Sequence, residues 1–295
     1  MAAKVKPEPK DSGELFQRFR SVYLKQYSNF ETTMNELQLP LIEKHGRSFQ
    51  EFSNAELVTS FFNILVAYPS NVLLELGAHR AMTSRLFRRG RPDRTAIAIE
   101  ANPFNFEKYR ANVERNGTIY KNLAVTDQTG PVELILSDGD MDRKRGHTKT
   151  TNSILKKKSY HATKNVTVQG VTFDDLIDDL RARDEIPELK KERPSLWIDV
   201  EGALSMVLDG AINKLPECLM VFAEVEKESL FEGQVTIDKI IPQFSKLGFF
   251  PFLKDCEYHP KQYNIIFLNE KFFKEDDVVV ERERFLSALR EFSGN

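Results

Sequence analysis

Apolar positions change their period along this chain, and the changes divide it into elements. From Glu14 to about Leu37, the residues Leu15, Phe16, Phe19, Val22, Tyr23, Tyr27 and Phe30 recur three or four apart, which predicts an amphipathic helix. Ser53-Asn54-Ala55-Glu56 has the form of a capping box, and ELVTSFFNILVAY then reads as a helix stopped by Pro69. Beyond it, short apolar runs alternate with helical patterns. VLLEL predicts a strand, TSRLFRR a helix ending at Gly90, and TAIAIE a second strand. Asn102 is placed to cap a helix with Pro103 at its first position, running to Gly117. TIYKNLAV reads as a third strand.

After an irregular stretch, VTVQGV leads into a helix, FDDLIDDLRAR. SLWIDV is a fourth strand with GALSMVLDGAINKL as the helix behind it. LMVFAEV is a fifth, followed by DKIIPQFSKLGF, a helix that Pro242 should distort. FFPFL and YNIIFL are spaced as a closing antiparallel hairpin, and VVVERERFLSALREF predicts a tail helix that packs on the body or on a second subunit, leaving a homo-oligomer open. Strands alternating with helices predict an α/β fold with a mostly parallel sheet. The expected division is a disordered tail (1–13), a helical extension (14–69), a main α/β domain (70–270) and a helical tail (271–295).

Composition narrows the function classes. The 295 residues are 41% hydrophobic with 22 phenylalanines, ample for a large core. A net charge of −2 gives no whole-molecule attraction for nucleic acid or membrane. Cys218 and Cys256 lack metal-ligand spacing and read as ordinary thiols of a reducing compartment. MAAKVKPEPKDSGE has no apolar region of the signal-peptide kind, and no stretch approaches the ~18 apolar residues of a membrane span. The expectation is a soluble, cytoplasmic protein.

In a doubly wound sheet a ligand sits beyond the carboxyl ends of the strands, where strand order reverses. NVLLELGAHRAMTS has the required strand, turn and helix, and Glu100 closes the next strand 25 residues after Glu75. A strand-end acid there can accept hydrogen bonds from both ribose hydroxyls. A dinucleotide also needs bare backbone against its pyrophosphate, yet His79 stands where the second glycine of that fingerprint belongs. S-adenosylmethionine has no phosphates, so one glycine suffices. This favours S-adenosylmethionine over the cofactor of a dinucleotide-dependent oxidoreductase.

Further blocks follow in a set order: IEANPFNFEKYRANVERN, NLAVTDQTGPVEL, NSIL, VTFDDLI, LWIDVEGALSMVLDGA and FAEVE. With LELGAHRAMTS, over roughly residues 70–268, they resemble the FkbM-type S-adenosylmethionine-dependent methyltransferases. The resemblance implies a Rossmann-like class I methyltransferase sheet of seven strands, the last antiparallel. It also implies methyl transfer to an oxygen of a sugar or other secondary metabolite. By position it sets Glu75, Gly77 and Ala78 against the methionine part of the cofactor and Glu100 on the ribose. Asn102 shapes the adjoining turn, while Leu123 and Ala124 flank the adenine. The chain departs from the family pattern at Glu75 (usually Asp), His79 (Asn), Ala81 (Gly) and Leu204 (Glu). These departures keep a non-catalytic binding protein as the alternative, which calorimetry with S-adenosylmethionine separates.

A sugar hydroxyl is a poor nucleophile, so a base or metal should help remove its proton. Asp199 and Glu201 end the fourth strand, and Glu224 and Glu226 end the fifth. Residues two apart on a strand share a face, which brings Asp199 and Glu201 together if the strand persists. Asp199 is the expected base, with Glu201 assisting. Asp199 and Glu226 form an oxygen-rich pair suited to Mg²⁺. His79 and Ser153 are candidate substrate contacts. Met141–Asn165 carries Arg143, Lys144, Arg145, Lys149, Lys156, Lys157, Lys158 and Lys164 against one acid, Asp142. It reads as a solvated loop or as a lid for an anionic small-molecule or glycan acceptor. Nucleic acid, and with it methylation of an RNA ribose, fits electrostatically, but Tyr160 alone interleaves with these charges.

Overall fold

The computed structural model describes residues 12–68, 70–137, 152–158, 162–189, 191–273 and 275–293, so most of the expected disordered tail lies outside them. Two helices open the chain, α1 (Ser12–His45) and α2 (Arg47–Ala67). The first runs past Leu37 and through Pro40, because tertiary contacts override the local cost of a proline. Gln38 is fully buried, donating to the Lys254 carbonyl at 2.9 Å and accepting from Lys254 Nζ at 2.8 Å. The capping-box reading of Ser53 is corrected, since α2 has already begun at Arg47. Ser53 is buried inside that helix, where its hydroxyl donates to the Gln50 carbonyl and accepts from the Cys256 amide.

The alternating part follows as β1 (Val72–Leu76), α3 (Met82–Arg88), β2 (Thr95–Ile99), α4 (Pro103–Arg115) and β3 (Ile119–Lys121). Asn102 caps α4 as expected, its side chain accepting from the Phe104 amide at 2.9 Å. The run TIYKNLAV is two strands, however. β3 stays in the main sheet, while β4 (Ala124–Thr126) leaves it to pair with β6 (Ala162–Thr172), which also pairs with β5 (Gly130–Ser137). Asn122 marks the break, donating to the carbonyls of Glu100 and Ala101 at 2.7 and 3.1 Å. VTVQGV does lead into the helix that begins at Phe173, and it does so as the end of an 11-residue strand of a second, three-stranded sheet.

The remaining elements are α5 (Phe173–Ala182), β7 (Ser195–Ile198), α6 (Leu204–Asp209), β8 (Met220–Glu226), α7 (Ile237–Lys246), β9 (Phe249–Lys254), β10 (Gln262–Asn269) and α8 (Glu275–Glu291). The helix expected over GALSMVLDGAINKL shrinks to the six residues of α6, with Gly210 as its C-cap. Pro242 sits inside α7 without interrupting it. The tail helix packs on α2, with Arg284 bonded to Glu56 at 2.6 Å and to the Ser60 hydroxyl at 2.8 Å.

The seven-stranded sheet has the order β3-β2-β1-β7-β8-β10-β9, parallel except for β10, which runs antiparallel to both neighbours. Its strands read as continuous apolar runs because both faces are covered. Leu74, Leu76, Ile198 and Val221 pack with α5, α6 and α7, and Leu73, Met220 and Phe222 pack with α2 and α8. Both cysteines are free and buried. No helix among the described residues is long and apolar enough to cross a membrane. Strand order reverses between β1 and β7, which leaves a crevice beyond their carboxyl ends.

Candidate functional site

A cavity of about 300 Å³ occupies that crevice. Its wall includes Glu75, Gly77, Ala78 and His79 from the turn after β1, and Glu100 and Asn102 from the end of β2. Leu123 and Ala124 come from the break between β3 and β4, Ser153 from the described part of the following segment, and Asp199 and Glu201 from the end of β7. Eleven residues singled out in the sequence thus meet around one space. Glu226 is not on the wall.

The turn is held by the protein itself. The amides of Gly77 and Ala78 both donate to the Ile99 carbonyl at 2.9 Å, pinning the end of β1 to β2. Gly77 has φ +78°, and a β-carbon there would stand 1.7 Å from the Asp199 carbonyl oxygen. The glycine is demanded by the close approach of β7, a reason that differs from the cofactor contact expected. His79 and Ala81 adopt left-handed backbone with φ 47° and 52°. The His79 ring lies edge-on to Tyr109, with centroids 4.9 Å apart, and the Tyr120 hydroxyl donates to the His79 carbonyl.

Both acids of the expected cofactor loop are engaged by backbone. The N-cap of helix α3 is Ala81, which offers no side-chain cap, and buried Glu75 takes over that task. Its carboxylate accepts from the amides of Thr83 and Ser84 at 3.2 and 2.7 Å, a favourable place for negative charge. Burial nevertheless pushes Glu75 up to about 7. Glu100 accepts from the His79 amide at 2.6 Å, the Asn102 amide at 2.9 Å and Asn105 Nδ2 at 3.2 Å, and burial holds its pKa above the ordinary value. No sequence motif singles out Asn105, although its position in the first turn after Asn102 is legible. Leu134 and Ile154 complete the apolar end of the cavity from the second sheet and the segment after it; both lie within the blocks NLAVTDQTGPVEL and NSIL, which do not single them out as wall residues.

Glu100→Gln tests this assignment. An amide cannot accept on both sides, so at least one of three buried donors loses its partner, at ~1–3 kcal/mol. We expect that loss in a urea denaturation curve, together with about tenfold weaker S-adenosylmethionine binding by calorimetry. Unchanged values for both would remove Glu100 from its role.

Carboxylates gather at the opposite end of the cavity. In the parallel pairing of β7 with β8, Ile198 is level with Ala223, so Asp199 follows the end of β7 beside Glu224, which is still within β8 and level with Asn264 of β10. The convergence of Asp199 and Glu201 has a different origin from strand alternation, since β7 stops at Ile198 and the chain turns with φ 45° at Glu201. The Ser153 hydroxyl secures that turn by donating to the Glu201 carbonyl at 2.7 Å. Asp199 is exposed to the cavity but enclosed by protein on its other sides, and its carboxylate makes no hydrogen bond among the described residues.

Burial raises these acids: Asp199 to about 6, Glu226 to about 7 and Glu201 to about 8, with Glu224 also well above the carboxylate range. Repulsion from Asp199 adds to burial at Glu201 and Glu224. Among the described residues, no group of three or more His, Cys, Asp or Glu is placed to hold a metal ion, so the Mg²⁺ expected on Asp199 and Glu226 has no such cluster to receive it. Of the basic stretch, Arg143, Lys144, Arg145, Lys149, His147 and His161 lie outside the described residues. The described lysines are occupied: Lys156 pairs with Glu232, Lys158 bonds Ser229, and Lys157 and Lys164 lie over the rings of Phe231 and Phe104.

The raised pKa of Glu201 carries a stability consequence. The folded state keeps its proton between about pH 4.5 and 8 where the unfolded chain releases it, so stability falls as pH rises through that window. Glu201→Gln, which mimics the protonated acid, is expected to stabilise the protein by ~2–4 kcal/mol at about pH 9 and to match wild type near pH 4. Thermal or chemical melts at the two pH values read the difference. A constant offset between them would show that burial of the charge is not the cause.

Comparison with known proteins gives the site its context. The family described as "Methyltransferase FkbM domain" matches residues 75–251. The 2-O-methyltransferase NoeI of Sinorhizobium fredii is 27% identical over 197 residues, covering 63% of this chain and 77% of that protein. Precorrin-6y C5,15-methyltransferase from Geobacter metallireducens aligns at 14% identity over 67% of this chain and 80% of that one, with a TM-score of 0.33. Magnesium protoporphyrin IX methyltransferase from Synechocystis, solved with S-adenosylhomocysteine, aligns at 9% identity over 75% and 86% of the two chains, with a TM-score of 0.38. The family match spans more than half of the sequence and contains every wall residue singled out above, so the chain belongs to the FkbM-domain methyltransferases, which are S-adenosylmethionine-dependent enzymes.

Proposed function

We propose that the protein transfers a methyl group to a hydroxyl oxygen of a sugar or sugar-bearing metabolite, with Asp199 as the base. The observation that carries this reading is the placement of Asp199: an unpaired carboxylate on the cavity wall, level with Glu224 and close to Glu201. A positioned acid whose pKa lies near working pH can accept the proton that a hydroxyl must lose. The printed name of the NoeI relative, a 2-O-methyltransferase, points to oxygen as the acceptor atom.

The cavity suits S-adenosylmethionine. About 300 Å³ is the lower end of the range for small-ligand sites. Leu123, Ala124, Leu134 and Ile154 make one end apolar enough for a purine, and Asp199 and Glu201 make the other end negative, as a cationic sulfonium and ammonium require. Glu100 would hold the ribose and Glu75 the methionine end. The cofactor supplies an electrophilic methyl carbon, and the protein's task is to align the acceptor oxygen and remove its proton. No step here requires Mg²⁺. The acidic lining favours a neutral hydroxyl over the anionic acceptor suggested by the basic stretch.

The test is formation of S-adenosylhomocysteine with a panel of neutral sugars, sugar phosphates and amines. Turnover with neutral hydroxyl acceptors, insensitive to a metal chelator, is the expected outcome. Turnover confined to amines would overturn the oxygen assignment. Binding of S-adenosylmethionine with no turnover on any hydroxyl acceptor would count for the non-catalytic alternative.

A further inference from the structure

We propose that the outer face of α3 docks on a bilayer surface containing anionic phospholipid, with Arg85 and Arg89 on headgroup phosphates and Met82 and Leu86 at the apolar boundary. Residues 80–94, RAMTSRLFRRGRPDR, hold six arginines and a single acid, Asp93, which Arg91 already engages at 2.8 Å. Two of the six serve the fold. Arg88 donates to the Asn116 carbonyl at 3.1 Å, and Arg94 donates to the Phe87 carbonyl at 3.0 Å while lying over the Phe87 ring. The guanidinium groups of Arg85 and Arg89 make no hydrogen bond or ion pair among the described residues.

Spacing places these groups on one face. Met82 and Leu86 are four residues apart on α3, and so are Arg85 and Arg89, the latter being the residue that caps the helix at its C-terminus, giving two adjacent rows. Met82 is 43% and Leu86 47% exposed, large apolar side chains set inside a basic field. With Arg88, Gly90 and Asn116 they border a surface cavity of about 440 Å³. Guanidinium groups recognise phosphate oxygens through paired donors, and neighbouring apolar side chains match the hydrocarbon boundary beneath a headgroup. RNA also offers phosphates, but the wall of this cavity contains no aromatic side chain on which a base could stack. The overall charge of −2 does not oppose docking, since attraction to an anionic surface acts only within about a Debye length. Met82 lines the catalytic cavity as well, so docking through this face brings the Met82 side of that cavity to the bilayer.

The experiment is sedimentation of the full chain with vesicles of about 30% phosphatidylglycerol in phosphatidylcholine, against phosphatidylcholine alone. Wild type is expected to bind the anionic vesicles and not the neutral ones, with affinity falling as salt rises. At about fivefold per arginine, Arg85→Gln with Arg89→Gln weakens binding about 25-fold. Leu86→Ser weakens it further. These side chains are surface groups outside the catalytic wall, so circular dichroism and methyl transfer to a soluble acceptor remain as in wild type. That separates failure of docking from failure of the catalytic reading. Equal binding to neutral vesicles, or unchanged binding by the double variant, would overturn the proposal. So would capture of pyrophosphate or RNA through Arg85 and Arg89 by a protein that ignores both vesicles.

Discussion

Gly77→Ala is expected to cost at least ~3 kcal/mol of stability and to abolish S-adenosylmethionine binding. Two penalties combine. The backbone at φ +78° lies in the left-handed region, which costs an L-residue ~1–2 kcal/mol. The added carbon would also stand 1.7 Å from the carbonyl oxygen and 2.7 Å from the carbonyl carbon of Asp199. No rotamer change relieves contact with backbone, so the end of β7 must move. That movement breaks the hydrogen bond from the Asp199 amide to the Leu76 carbonyl, 2.9 Å long, and carries Asp199 out of the cavity wall. Gly90→Ala supplies the control, because Gly90 has φ +70° but a β-carbon there would meet nothing within 4 Å. Denaturant melts of the two variants separate strain from collision. If Gly77→Ala loses no more than Gly90→Ala, the close approach of β1 and β7 is not what fixes this turn.

That result bears on how the site can be read from sequence. The lone glycine of LELGAH was legible as a turn beneath a ligand, yet its cause lies 122 residues away in Asp199, a distance no local pattern spans. Glu75 and Glu100 were legible as acids at strand ends. Their principal partners, the first amides of α3 and the His79 and Asn102 amides, depend on how tightly the turns fold. The central strands were plain because a strand buried on both faces must be apolar throughout. The break at Asn122 was hidden because TIYKNLAV keeps a strand-like composition while its two halves join different sheets. GPVELILS concealed β5 for a related reason, since the three-stranded sheet has no helix alternating with it to announce a strand. Ser53 misled because the same residue that caps a helix can also lie within one when a distant amide, here that of Cys256, uses its oxygen.

Asp199→Asn is expected to slow methyl transfer by ~10²–10⁴-fold with little change in S-adenosylmethionine affinity. Asparagine matches the shape of aspartate but cannot take up a proton, and on the cavity wall the side chain makes no hydrogen bond among the described residues that the change would break. Stability should therefore hold, and it should rise modestly at high pH, since removing one negative charge relieves the repulsion felt by Glu201 and Glu224. The pH profile is the sharper readout. With burial raising Asp199 to about 6, the wild-type kcat/KM should climb as pH rises through that value, because only the deprotonated acid can serve as base. The limb belongs to the interacting carboxylates as a set, so its midpoint need not equal the value of any one of them. In Asp199→Asn that limb should vanish, leaving a low, flat rate. A variant within about twofold of wild type at every pH would strip Asp199 of the role, and a slow variant that keeps the limb would move the base to Glu201 or Glu224.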